Sequence, residues 1–141
     1  MKAFFDSSVL IPIFYAHHER HAASIDLFLG FTKSEGCCAA HSLAEVYSVL
    51  TGRAGKDRVS GDEALLFLAD VRNRLTVITL NSDEYANAIM EAATLGIAGG
   101  GIYDALLGHC ALKAKAEKIY SWNVKHFERL RADISKRVKT P

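Results

Sequence analysis

Apolar residues along the chain come in two rhythms, short continuous runs and stripes spaced three and four apart. Residues 2–6 (KAFFD) are an apolar run ending in an acid, and SSVLIPIFY follows, which predicts a buried strand passing into a helix whose regularity Pro12 limits. From Arg20 to Phe31, Ile25, Phe28 and Leu29 share a helical face, and GCCAA at 36–40 is small and apolar enough for a central strand. A helix is expected from about Ser42. Ser60 opens another, with Ala64, Phe67, Leu68, Val71 and Leu75 on its apolar face, and TVITL at 76–80 is the clearest strand. Asn81 or Ser82 begins a helix striped by Tyr85, Ala88, Ile89 and Ala92; Gly96 stops it, and GIAGGG reads as a flexible hinge. Tyr103, Leu106, Leu107, Cys110 and Ala114 mark the next helix, followed by a strand at KIYSW (118–122) and a short VKHFERL helix. Beyond Arg131 the pattern fixes no element. Strands separated by helices, without hairpin signals, predict an α/β fold with a parallel sheet covered on both faces.

Composition narrows the class. The chain has 141 residues, half of them hydrophobic, with two prolines and 17 basic against 16 acidic groups, which excludes disordered and collagen-like classes and predicts a single domain over 1–141. Cys37, Cys38 and Cys110 lack the paired spacing of a zinc ribbon or redox motif and read as buried thiols in a reducing compartment. Asp6 interrupts the opening apolar run too early for a signal peptide, and no run approaches a membrane span. The expected location is cytoplasmic.

Functional groups of open parallel sheets gather beyond the carboxyl ends of the strands. There, Asp6 ends the first strand and Asn123 follows the last. Glu45 sits among Leu43, Ala44, Val46 and Tyr47, and Asp104 among Ile102, Tyr103, Ala105 and Leu106. A carboxylate in apolar surroundings needs a pair, hydrogen bonds or a metal. Hard oxygen ligands suit Mg²⁺ or Mn²⁺, and such a cluster fits phosphodiester chemistry. Small neighbours, Gly101, Gly108 and Ala111 near Asp104 and His41, Ser48 and Gly52 near Glu45, leave room for a substrate. The competing structural reading makes Asp6 an N-cap and Ser42-x-x-Glu45 a capping box, a form repeated at Ser60-x-x-Glu63 and Asn81-x-x-Glu84.

FFDSSVLIPIF, SLAEVYSVLTG, IYDALLGHCAL and IYSWNVKHFERL, in this order across nearly the whole chain, resemble a PIN-domain protein, and in particular a VapC-type toxin ribonuclease. The resemblance implies a Rossmann-like three-layer α/β/α fold and a metal-dependent endoribonuclease. Asp6 and Asp104 then match metal-binding acids and Glu45 the helix acid that completes the cluster. Ser7 and Ser8 stand where a hydroxyl supports the site. The segment that commonly carries a fourth acid offers Asn123 and His126 instead; Asn123 can coordinate through its carbonyl or orient a water. The implied reaction is hydrolysis of RNA by a metal-activated water, with Glu45 completing the coordination shell or acting on the water. The implied partners are a small VapB-type antitoxin and a second copy of the chain in a homodimer. The alternative is a catalytically weakened PIN-fold module that binds RNA or protein.

Other motifs are weaker. His17 and His21 have an i, i+4 zinc spacing but no third ligand, AGGG lacks the ending of a phosphate loop, and Trp122 reads as packing or as a base-stacking ring. A small-molecule α/β enzyme is disfavoured because no nucleotide-binding glycine loop follows a strand. The net charge of +1 conceals an asymmetry: residues 1–108 carry 8 basic and 13 acidic groups, residues 109–141 carry 9 and 3. Lys113, Lys118, Lys125 and Arg129, with Lys115 and Arg131, are therefore expected to line the RNA backbone.

Overall fold

In the computed structural model, which describes residues 1–141, strands and helices alternate. The chain runs β1 (Ala3–Phe5), α1 (Ser7–Phe14), α2 (His21–Leu29), β2 (Gly36–Ala39), α3 (Ala40–Gly52), α4 (Gly61–Arg74), β3 (Thr76–Ile78), α5 (Ser82–Thr94), α6 (Gly101–Lys113), β4 (Lys118–Tyr120), α7 (Ala132–Ser135) and β5 (Val138–Lys139). Short 3₁₀ turns cover Gly55–Asp57 and Val124–Phe127. The five strands form one sheet in the order β3-β2-β1-β4-β5, with every neighbouring pair parallel.

Three layers follow from the two-residue period of a strand. Phe5 and Cys38 point to one face, where they meet Val9, Leu10, Phe28, Val46, Leu50, Val71 and Leu75 from α1–α4 and the start of β3. Phe4 and Cys37 point to the other, with Leu107, Ala111, Ile119, Phe127 and Ile134 from α6, β4 and the C-terminal segment. Gly36 is fixed by this packing, because a Cβ there would stand 2.8 Å from Leu75 Cδ2. All three cysteines are buried and free, and no helix is long and apolar enough to cross a membrane.

Several expectations are corrected. α3 begins at Ala40, so Ser42 lies inside the helix and the capping box with Glu45 does not form. A full box of that form closes α5, where Asn81 accepts from the Glu84 backbone and its own N–H donates to the Glu84 side chain, while at α4 only Ser60 accepts, from the Glu63 backbone. Pro12 is accommodated within α1, its carbonyl accepting from His21 Nδ1 at 2.9 Å. Within GIAGGG, Gly96 (φ +73°) and Gly99 (φ +57°) adopt left-handed backbone, and Gly101 already belongs to α6. Leu29, Tyr85 and Ile89 are exposed rather than buried. The segment past Arg131 supplies α7 and a fifth strand.

Gly108, expected to give a substrate room, instead lets α7 approach α6, because a Cβ on it would lie 2.9 Å from Ile134 Cγ2. Gly108→Val is expected to overpack this contact and lower stability by about 1–3 kcal/mol, read as a reduced urea midpoint. An unchanged midpoint contradicts the packing role.

Candidate active site

The parallel register aligns the carboxyl ends of the central strands. Phe5 pairs with Tyr120, and Cys38 and Ala39 pair with Val77 and Ile78, so Asp6, Ala40 and Ser121 emerge along one edge. Asp6 occupies the N-cap position of α1, yet its side chain makes no capping bond. Its Oδ2 instead accepts from Ser8 Oγ and Ser121 Oγ, both at 2.7 Å, and its backbone N–H donates to the Tyr120 carbonyl. The serines are held in turn, since Trp122 N–H donates to Ser8 Oγ and Asn123 N–H to Ser121 Oγ, each at 2.9 Å. Asp6 is thus nearly buried and oriented by two hydroxyls. Ser121 is a residue that the sequence reading missed; its only signal is a small hydroxyl directly after a strand. Ser7 is buried beside Asp6.

Glu45 projects from the second turn of α3. Its Oε1 is buried without a hydrogen bond, and His41 Nε2, one turn earlier, stands 3.9 Å away. Burial, then repulsion from Asp6 and Asp104, pushes its carboxyl up to about 7, with the Ser7 hydroxyl acting in the opposite direction. Asp104 lies in the first turn of α6. Burial pushes it up to about 6, with His126 and Arg129 pulling down and Asp6 pushing up. Each of these two acids therefore feels Asp6, and the three share one region. They are not closed into a finished chelate: no group of three or more His, Cys, Asp or Glu is arranged to hold a metal ion. The capping readings of Asp6 and Glu45 fail, which leaves both carboxylates without a helix-terminal task.

The surrounding groups divide. His126 Nδ1 stands 3.8 Å from Asp104 Oδ2, and Asn123 is exposed at the rim. Arg129 reaches the start of α6 beside Gly101, and Lys125 lies on the 3₁₀ turn after β4. The proposed basic rim does not extend to Lys113 or Lys118. Lys113 is at the far end of α6, about 14 Å along the helix from Asp104, and its ammonium is engaged by Glu84 and the Thr79 carbonyl. Lys118 begins β4 and pairs in register with Ala3, at the opposite edge of the sheet. Arg131 is engaged by Asp133 and Glu91. His17 and His21 face different partners, Asp57 and the Pro12 carbonyl, and form no metal pair.

The raised acids set a pH dependence. An unfolded chain releases these protons near pH 4, whereas the folded form keeps them to about pH 6 and 7. The folded state therefore binds more protons in that window, and the stability they contribute is lost as pH rises through it. In metal-free buffer, Glu45→Gln is expected to raise the thermal midpoint at pH 8 and to change it far less at pH 5. An equal or lower midpoint at pH 8 contradicts the strained carboxylate.

Comparison with known proteins agrees with this architecture. The PIN domain family model matches residues 3–132. Ribonuclease VapC40 of Mycobacterium tuberculosis is 31% identical over 133 residues, spanning 92% of this chain and 94% of that protein. Among solved structures, VapC20 of Mycobacterium tuberculosis, a toxin that cleaves the sarcin-ricin loop, superposes with a TM-score of 0.68 at 17% identity over 89% of this chain and 92% of its own. VapBC2 from Rickettsia felis, bound to a promoter DNA fragment, gives 0.68 at 16% identity over 100% and 99%. With a family model covering most of its length and a curated relative of this similarity, the chain belongs to the PIN-domain family, in its VapC branch.

Proposed function

We propose that the protein is a Mg²⁺-dependent endoribonuclease and the toxin of a type II toxin–antitoxin pair. The observation that carries this reading is the meeting of Asp6, Glu45 and Asp104 at one sheet edge, with Glu45 Oε1 buried and unpartnered. Two of these three hard-oxygen donors, Glu45 and Asp104, have their proton affinity raised by burial and by neighbouring carboxylates, a strain that a divalent cation relieves, so the donor chemistry suits Mg²⁺ or Mn²⁺. Asp6 and Asp104 would hold the ion, with Glu45 beside them. When bound, such an ion supplies an activated water and neutralises charge developing on the phosphate.

The chain's own groups do the rest. Ser8 and Ser121 commit Asp6 Oδ2 and so fix the direction of the other oxygen. Glu45 Oε1, once deprotonated, is placed to accept a proton at the site. Arg129 and Lys125 offer cations to the phosphate backbone, and Asn123 offers an amide in the same segment. His126, close to Asp104, puts an ionisable nitrogen in that same segment.

The relatives support the remaining parts. VapC40 is named a ribonuclease, and a solved structure of the same fold is a toxin–antitoxin complex from Klebsiella pneumoniae, so a VapB-type antitoxin is the proposed partner and RNA the substrate. The exposed apolar residues Tyr85, Ile89 and Met90 on α5 support a homodimer, and the absence of a membrane-spanning helix is compatible with work in the cytoplasm.

The deciding measurement is cleavage of total RNA with and without Mg²⁺ or Mn²⁺. The native chain is expected to cut only with metal, and Asp6→Asn and Asp104→Asn to fall to the no-enzyme level. Ser121→Ala is expected to lower activity or metal affinity about 10–100-fold. The open arrangement of the acids, with Asn123 and His126 in place of a fourth one, favours the binding-module alternative. RNA binding without metal-dependent cleavage by the native chain would establish that alternative and overturn the enzyme.

A further inference from the structure

Tyr103 directly precedes Asp104 in the first turn of α6 and is 50% exposed. Its ring is not loose. His41 stacks on it with centroids 5.1 Å apart and planes within 8°. His41 lies on α3 one turn before Glu45, so the stacked pair spans the two helices that carry two of the three acids. Together with Ala44, Glu45, Ser48 and Val49, the pair lines an open pocket of about 380 Å³.

We propose that the outer face of Tyr103 is a stacking platform for one nucleobase of the RNA strand held at the Asp6, Glu45 and Asp104 site. This rests on the ribonuclease reading and adds a substrate-positioning residue to it. No other ring covers that face, and a ring already clamped by His41 surrenders little rotamer freedom when a base lands on it. Single-stranded RNA presents splayed bases that stack on aromatic side chains, and such stacking tolerates any base because each has a π-face. A third ring would extend the His41–Tyr103 stack while its own phosphate points toward the acids.

The other aromatic rings are less suited. Trp122, the ring that the sequence suggests, is covered by the Arg20 guanidinium 4.8 Å from its centroid, and its N–H is committed to Ser24 Oγ. Tyr47 is two residues past Glu45, which turns it away from that acid on α3. Tyr85 lies on α5, which carries none of the three acids.

The test is an abasic scan of a short single-stranded RNA, with binding measured by anisotropy in an Asp6→Asn background that leaves the RNA intact. Removing one particular base is expected to weaken binding on the order of 5- to 150-fold. With Tyr103→Ala added, that position is expected to lose its effect while the contribution of the backbone remains. Tyr103→Phe should restore the position dependence, which separates stacking from misfolding. Base dependence that persists in Tyr103→Ala overturns the platform and leaves the ribonuclease reading intact. So does a Tyr103→Ala protein whose oligomeric state changes while its abasic profile does not, because the ring is then a protein contact. Failure of every variant to bind RNA overturns the platform, and the ribonuclease reading is then decided separately by metal-dependent cleavage with the native chain.

Discussion

One hydrogen-bonded knot joins the first strand to the fourth: Asp6 Oδ2 receives the hydroxyls of Ser8 and Ser121, while the backbone N–H groups of Trp122 and Asn123 donate to those same serines. The carboxylate, itself nearly buried, is therefore held from both sides of the β1–β4 pairing. Without those hydroxyls a buried carboxylate would face an apolar strand end with its hydrogen-bonding needs unmet. The start of α1 and the loop after β4 both take their course from this contact. The positions of His126 and Arg129 follow from where that loop goes.

The other two acids have no comparable support. Glu45 and Asp104 approach Asp6 from helices anchored by separate cores, α3 on one face of the sheet and α6 on the other. Packing, rather than electrostatics, brings them together, and their raised proton affinity records the resulting strain. The fold tolerates this because both layers are well packed away from the edge. His126 and Arg129 offset part of the repulsion around Asp104, and they stand in the segment where the charge balance of the chain turns positive.

Strands and the acids at their ends were legible because both follow from local rules: short apolar runs, and acids set where apolar side chains should be. That pattern marked Asp6, Glu45 and Asp104 but left capping open for the first two, and the resemblance to the PIN domain supplied their common role. Lys113 and Lys118 were misplaced because nearness along the chain was taken for nearness in space. A helix carries the first away from Asp104, and a strand begins with the second at the opposite edge. β5 has only two residues, too few to show a period. The stripe on α5 is real but straddles the surface, with Ala88 and Ala92 buried and Tyr85 and Ile89 exposed, since periodicity reports that a face exists and not what covers it. Ser121 and Tyr103 gain meaning only from contacts across the fold, with Asp6 and His41, that no linear pattern encodes.

The adjacent cysteines of β2 give the molecule an unforeseen property. Cys37 and Cys38 face opposite layers and are both pushed up to about 12 by burial, so at pH 7 both stay as thiols. In the native chain these sulfurs are chemically mute, and oxidants or alkylating agents reach them only when the centre of the sheet opens. Each layer thus contains its own reporter of opening, placed back to back on a single strand. The rate at which the thiols become reactive measures how often the sheet opens around β2.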